Sequence, residues 1–415
     1  MYEWSEEQEM VRVAVRDFVD REIRPHREEL EFGDMAPYDL LRKLFATFGM
    51  DAMQRESFKK RIEREKAVEA GEQPADTGGG GPRDANSIAF TMIPIIELCR
   101  VCPGMVTAMG VSMGLTGAAI MGKGTIAQKE RWALDLLTMD KVGAWAITEP
   151  NSGSDAFGSM MSTARLDGDE FVLNGSKTFI TNGPHADTIV FICKLDEGNP
   201  PAERKVVQFV LDSGMAGLEQ SGALRKMGIH SSPTGQLFLD DVRVGHDRLL
   251  GESLDAYGGR SGREASKATF SMERAGVAAM ALGIVDRCLE LSVAYANDRV
   301  QFGQAIGQFQ LIQLKLATME VARMNLQNLV FRHIEMTAAG DAMGYAEASA
   351  AKLYAARAAT EVALEAVQLF GGNGYMAEYE VEQLARDAKV LQIYAGTDEI
   401  QISAVARSLL AEHAG

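Results

Sequence analysis

The hydrophobic period changes twice along the chain, and that change restricts the folds open to it. From Ser5 to about Leu136 apolar residues recur at helical spacing, as at Val11, Val13, Val15, Phe18 and Val19, then Ile23 ahead of Pro25. Between Gly143 and about Leu250 short alternating runs take over: STARLDGDEFVLNG, ADTIVFICKLD, KVVQFVLDS and GQLFLDDVRV. Asp167-Gly168-Asp169 is a hairpin signal between two of them. After the Gly/Ser-rich link GESLDAYGGRSGREAS, helical spacing returns through Met272–Tyr295, Phe309–Ala338, Ala346–Phe370 and about Val381–Leu410, broken at Ala395-Gly396. Strands confined between two helical blocks predict an α+β fold and exclude a doubly wound sheet. The expected domains are residues 1–142, 143–250 and 251–415 of the 415-residue chain. Within the first, residues 57–84 read as an insertion: a charged stretch, KKRIEREKAVEAGE, runs into QPADTGGGGPRD, and the whole is expected to be a mobile loop.

Several function classes fall away on charge and residue usage. Lys and Arg number 42 against 58 Asp and Glu, a net charge of −16, which repels nucleic-acid backbones and anionic lipid, so no nucleic-acid partner is expected. The N-terminus, MYEWSEEQEM, lacks the positive region of a secretory signal, and no apolar run reads as a membrane span, so a cytoplasmic protein is expected. Four cysteines make no disulfide framework. Cys99 and Cys102 form a C-x-x-C with no second half, read as two small apolar residues one helical turn apart; with six scattered histidines, no metal site is expected. Gly117-Ala-Ala-Ile-Met-Gly122-Lys123 begins like a phosphate loop but continues with Gly124 where a Ser or Thr is needed and follows no strand, so it is read as chance. No G-x-G-x-x-G follows a strand either.

Three stretches carry chemistry. Trp145-Ala-Ile-Thr-Glu-Pro-Asn-Ser-Gly-Ser-Asp155 closes a strand with hydroxyls and a Gly-Ser turn able to offer N–H groups to a phosphate. Arg299-x-x-Phe-Gly-x-x-Ile-Gly-x-Phe-Gln310 sets one cation and one amide among aromatic residues. Gln368-Leu-Phe-Gly-Gly-Asn-Gly-Tyr375 and Ile393-Tyr-Ala-Gly-Thr-Asp-Glu-Ile-Gln401 end helices in glycine turns, where backbone can approach a ligand. Taken singly, each also reads as a capped turn or a helix–loop–helix.

In this order, and with Gly175-Ser-Lys-Thr-Phe-Ile-Thr-Asn182, Lys226-Met-Gly228 and Arg386-Asp-Ala-Lys389, the chain resembles the acyl-CoA dehydrogenase family from about Ser5 to Leu410. The resemblance implies an N-terminal helical domain, a middle β-barrel domain and a C-terminal four-helix bundle, a homotetramer built as a dimer of dimers, FAD as cofactor and an electron-transferring flavoprotein as acceptor. It places Trp145, Ile147 and Thr148 at the flavin ring, Gly153 and Ser154 at the pyrophosphate, and Phe179 and Thr181 over the ring's other face. Arg299, Phe302, Gln310, Gln368, Gly371 and Gly372 would complete the adenosine half of a neighbouring subunit's cofactor, with Thr397 and Glu399 at the subunit's own. Ser154, Ser271, Arg274 and Gly396 would meet the acyl-CoA.

Two departures from the family pattern bear on mechanism. Many relatives carry the catalytic Glu directly after the Tyr of the last motif, where this chain has Ala395. A minority branch, including isovaleryl-CoA and long-chain acyl-CoA dehydrogenases, places it on a bundle helix just before an Arg, and here Phe270-Ser-Met-Glu273-Arg274 has that pattern. Glu273 is therefore the expected base, against the plain reading of a helix-surface acid paired with an Arg, and Ala395 keeps the backbone N–H that would bind the thioester oxygen. In place of the family's short Pro-Glu-x-x-Gly-Gly loop stands the 57–84 segment. The expected reaction removes an α-proton and a β-hydride to give a trans-2-enoyl-CoA. An acyl-CoA oxidase, a flavin monooxygenase or nitroalkane oxidase, and a non-catalytic flavoprotein share enough of these motifs to stay open.

Overall fold

The computed structural model describes residues 2–72, 85–257, 261–341 and 343–412, with side chains in the helix that starts at Ser261 described at Arg274 and from Gly276 onward. The first block is helical: α1 (Glu6–Phe18), α2 (Arg27–Phe32), α3 (Tyr38–Thr47), α4 (Met50–Glu69), α5 (Ala85–Cys99), α6 (Pro103–Gly110), α7 (Ala118–Lys123), α8 (Ile126–Gln128) and α9 (Leu134–Leu137). Ser5 and Gln8 start α1 with reciprocal side-chain-to-backbone bonds that satisfy two otherwise orphaned N–H groups.

The charged stretch from Ser57 is not a loop. It lies within α4, whose Phe58 and Ile62, four residues apart, enter a core with Leu115, Met121 and Trp132. Its charges are tied to the same neighbours: Glu65 to Lys129 at 2.7 Å, Lys66 to Glu130 at 2.6 Å, and Arg61 Nη2 to the Met121 carbonyl at 2.8 Å. Two apolar residues among so many good helix formers make a stripe too thin to stand out as a pattern. Residues 73–84, with the four glycines, lie outside the described residues.

The continuous helical run Pro103–Lys123, which includes π-helical turns between α6 and α7, is long and apolar enough to cross a membrane by length and composition, contrary to expectation; 67% of its apolar 18-residue window is buried inside the protein. The phosphate-loop look-alike sits inside this helix, with no strand before it. Cys99 and Cys102 are both buried in the core, as their apolar reading implied.

The second block holds β1 (Gly143–Ala146), β2 (Thr163–Asp167), β3 (Glu170–Thr181), β4 (Thr188–Leu195), β5 (Val206–Asp212), β6 (Leu218–Gln220) and β7 (Thr234–Gly245). They form one sheet in the order β1-β4-β2-β3-β7-β6, with β5 on β4. The expected hairpin joins β2 to β3 through Gly168, at φ 66°. β4 is buried along its whole length because both faces are covered. Ile189, Phe191 and Cys193 pack with Phe171 and Phe209, while Val190 and Ile192 pack with Trp145, Trp132 and the α4 side chains.

The third block contains α10 (Ser261–Asp298), a small hairpin of β8 (Val300–Gln301) and β9 (Gln304–Ala305), α11 (Gln310–Ala338), α12 (Tyr345–Phe370), α13 (Glu380–Val390) and α14 (Asp398–Glu412). α10 is 38 residues long and begins eleven residues ahead of the periodic stretch, because its first turns, rich in Gly and Ser, read locally as a linker. A single core joins this block to the first: Ile93, Ile96 and Leu98 pack with Ala281, Ile284, Ala355, Ala359 and Leu384. The approach is close enough that a Cβ on Gly283 would stand 2.1 Å from the Ile96 carbonyl oxygen. Asn182, buried at φ 64°, ties the first two blocks together: its amide donates to the Ala108 and Gly143 carbonyls, and its Oδ1 accepts from the Tyr38 hydroxyl.

Candidate active site

The middle sheet builds the first cluster. β1 carries Trp145, and the chain continues through Ile147, also buried, to half-buried Thr148, whose carbonyl accepts from the Thr178 N–H at 2.9 Å. The next turn is closed by paired Glu149 and Ser152 backbones and by Ser152 Oγ donating to the Asp155 carbonyl at 2.8 Å. Gly153 and Ser154 stand exposed at its tip, and a Cβ on Gly153 would meet nothing within 4 Å. This turn rests on a buried ion pair that motif reading passed over: Lys177 Nζ lies 2.8 Å from Glu149 Oε1 and donates to the Ile147 carbonyl at 3.0 Å. The Met161 and Ser162 N–H groups also donate to the carboxylate, at 2.6 and 2.9 Å. Burial alone raises the Glu149 carboxyl, but the ammonium and these donors bring it below its ordinary value; burial likewise lowers the Lys177 ammonium, and Glu149 offsets this only in part. The pair leaves no clear signal in sequence, because Lys177 stands among Asn174, Ser176 and Thr178 in β3 and reads as a solvated cation. Between Lys177 and Ile180 the β3–β7 register shifts, Phe179 takes φ 57°, and its ring is left 70% exposed beside half-buried Thr181.

A second cluster lies at the far end of α10. Phe302 and Gly303 make the tight turn of the β8–β9 hairpin at φ 51° and 81°, leaving the Phe302 ring 94% exposed, with Arg299 and Gln310 exposed on either side. Tyr295 stacks on Phe370 at 4.0 Å, and its hydroxyl accepts from Asn373 at 2.9 Å, which brings this hairpin beside exposed Gln368, Gly371 and Gly372. A Cβ on Gly371 or Gly372 would meet open space. Among the described residues, no hydrogen bond or ring contact joins this cluster to the one on the sheet.

The third cluster is the turn between α13 and α14. Ala395 and Gly396 both have left-handed backbones, at φ 53° and 89°. The N–H groups of Ala395, Gly396 and Thr397 donate to no described residue, and all three positions are half-buried. Their carbonyl side is occupied: Gln401 Nε2 donates to the Ala395 and Gly396 carbonyls at 2.9 and 2.8 Å, and Lys352 Nζ to Gly396 at 2.8 Å. Arg274, 3% exposed, reaches the Ala395 carbonyl with Nε at 3.5 Å, Ser349 Oγ at 3.0 Å and the Tyr345 hydroxyl at 3.3 Å. Glu399 is exposed, and its carboxyl is lowered by its own backbone N–H and by the Thr397 hydroxyl. Ser271 and Glu273 lie on α10, but their side chains fall outside the described residues.

An exposed aromatic ring on strained backbone, an open Gly-Ser turn, and an exposed cation beside open glycines together suit a large ligand with a planar ring and phosphates. These features fit a flavin-binding protein of three blocks. The sequence models of the acyl-CoA dehydrogenase N-terminal domain match residues 5–58 and 51–140, the middle domain 144–242 and the C-terminal domain 260–410. An acyl-CoA dehydrogenase of Bacillus subtilis is 35% identical over 406 residues, 98% of each chain. The mitochondrial isovaleryl-CoA dehydrogenase of Oryza sativa is 30% identical, spanning 99% of this chain and 92% of its own. The solved butyryl-CoA dehydrogenase of Megasphaera elsdenii superposes with a TM-score of 0.81 at 31% identity, covering 99% of this chain and 100% of its own. The chain belongs to the acyl-CoA dehydrogenase family and is an oxidoreductase that uses FAD to dehydrogenate acyl-CoA.

Proposed function

We propose that Glu273 is the base that takes the thioester α-proton and that the Ala395 N–H binds the thioester oxygen. One observation carries this reading: Arg274, the residue after Glu273, reaches the Ala395 carbonyl, and its Nη2 lies 3.6 Å from where a Gly396 Cβ would stand. α10 therefore meets the 395 turn at Arg274, and in this reading the preceding residue supplies the carboxylate that Ala395 lacks.

A free carboxylate is far too weak a base for this proton. The N–H at Ala395 offsets the gap by holding charge as it develops on oxygen, and a half-buried site strengthens that bond relative to water. FAD, when bound, supplies the acceptor for the β-hydrogen at N5. The chain's own part is to fix the substrate: Trp145, Ile147, Thr148, Phe179 and Thr181 cradle the ring, Gly153 and Ser154 meet the pyrophosphate, and Ser154, Ser271, Arg274 and Gly396 hold the acyl-CoA. Thr397 and Glu399 serve the same subunit's cofactor, while Arg299, Phe302, Gln310, Gln368, Gly371 and Gly372 serve that of a neighbour in a homotetramer. The exposed Phe302, Leu311 and Leu314 side chains support that assembly. The base on α10 favours the branch that includes isovaleryl-CoA dehydrogenase. We take residues 1–142, 143–250 and 251–415 as the domains and an electron-transferring flavoprotein as acceptor. Four buried free cysteines fit a reducing, cytoplasmic compartment.

The test is Glu273→Gln, nearly isosteric but unable to accept the proton. With FAD still bound, anaerobic flavin bleaching by the best of a panel of acyl-CoA thioesters should slow at least ~10²-fold. Unchanged bleaching would remove Glu273 from the mechanism.

A further inference from the structure

Behind the Ala395–Gly396 turn stand two polar side chains buried completely, Lys352 on α12 and Gln401 on α14. Between them they occupy both carbonyls of the turn: Gln401 bridges Ala395 and Gly396, and the Lys352 ammonium caps Gly396. Asp398 lies 4.0 Å from the ammonium, and its other oxygen accepts from Gln392 at 3.1 Å and Arg357 at 3.0 Å. A Cβ at Gly396 would come within 2.8 Å of Gln401 Nε2, so the turn and its clamp are fitted to each other. A buried ammonium costs several kcal/mol to desolvate, so its position demands a strong acceptor, and here a backbone carbonyl takes that role beside a carboxylate.

Two consecutive left-handed residues form a shallow cup in which successive N–H groups point one way and their carbonyls the other. A non-glycine residue in that conformation costs about 1–2 kcal/mol and persists only where surrounding bonds hold it. With the carbonyls held by side chains of α12 and α14, the N–H groups of Ala395, Gly396 and Thr397 donate to no described residue. A cation on the Gly396 oxygen draws density through that amide and makes the Thr397 N–H a better donor, whereas on the Ala395 N–H, which belongs to the Tyr394 amide, the two side chains act only by fixing the geometry of the turn.

We propose that Lys352 and Gln401 are positioning residues for the thioester oxygen: they hold the 395–397 turn so that its N–H groups are set before substrate arrives. This rests on the reading that the enolate oxygen is bound at the Ala395 N–H. Neither side chain touches the acyl group; both act through the backbone.

The experiment uses the FAD-loaded enzyme and a panel of 3-thiaacyl-CoA thioesters from short to long chain. Sulfur at the β-position leaves such a ligand able to lose its α-proton but with no β-hydrogen to give. The bound enolate, stacked on oxidised flavin, absorbs at long wavelength, and the pH midpoint of that band reports how strongly the oxygen site favours the anion. Lys352→Met keeps an unbranched apolar stem, one atom shorter, and removes the charge. The midpoint should rise by at least about one pH unit, a tenfold loss in enolate preference, while affinity for the neutral ligand at low pH stays within about threefold. A role confined to stability would lower the unfolding temperature and leave the midpoint in place, and that result would overturn the inference. If Lys352→Met does not retain FAD, Gln401→Leu is read by the same criterion and decides the question. A wild-type enzyme that binds these ligands yet shows no band at any pH would instead refute the placement of the enolate, and this inference with it.

Discussion

Replacing Lys177 by methionine should cost about 3–4 kcal/mol of stability and loosen the turn that presents Ser154. Lys177 is wholly buried and Glu149 is 5% exposed, so the mutation strands a carboxylate in the protein interior. Breaking a buried pair from one side costs roughly 3–5 kcal/mol. Here the Met161 and Ser162 N–H groups still serve the carboxylate, which favours the low end, while loss of the bond to the Ile147 carbonyl adds about 1 kcal/mol. Urea unfolding of FAD-saturated protein, compared at constant slope, reads the difference. Adding Glu149→Gln completes a double-mutant cycle, and the loss in the double mutant should fall short of the sum of the two single-mutant losses by at least about 1.5 kcal/mol, because neither charge is then left alone. The acid side of the profile is a second check. Glu149 titrates below its unfolded value, so its contribution is present above the ordinary carboxylate pKa and is lost as pH falls through the lowered folded value. Without Lys177 that acid-side loss should shrink. A cost under about 1 kcal/mol, or strict additivity in the cycle, would refute the reasoning.

Arg299→Ala removes an exposed cation placed to meet a phosphate and should weaken FAD binding roughly tenfold or more, from ~1.5–3 kcal/mol for a charge-assisted bond; unchanged flavin affinity by equilibrium dialysis would remove it from the site. Asp387 is held up to about 7 by complete burial and by neighbouring Glu31, although the Ile229 N–H, Arg386 and Gln383 oppose the rise. The unfolded chain releases this proton near pH 4 while the folded one keeps it, so stability should fall as pH rises from about 4 to 7 and level off above. Asp387→Asn, whose Oδ1 can still accept from Ile229, should flatten that slope in denaturant titrations across pH; an unchanged slope would reject Asp387 as its source.

The broad plan could be read from sequence because it is written in local signals. A helix or strand declares its period within about ten residues, and Gly168 or Ala395-Gly396 marks a turn from within the turn itself. The residues of the sheet cluster and of the hairpin cluster were likewise named from contiguous motifs, since a strand end, a tight hairpin and a glycine turn each bring their own neighbours together. Where local signals are weak the reading slipped: α4 hides its two buried residues among charges, and the first turns of α10 carry Gly and Ser without the period of a buried helix.

Tertiary structure alone decided which charges are buried and what they hold. Lys177 and Glu149 are 28 residues apart, Lys352 and Gly396 are 44, and Arg274 and Ala395 are 121. A lysine in sequence is a solvated cation until other elements cover it, because the cost of burial and the partner that offsets it both come from distant segments. The same holds for Ala395. Its residue type declares a missing carboxylate, but the meeting of α10, through Arg274, with that turn exists only once the bundle has packed.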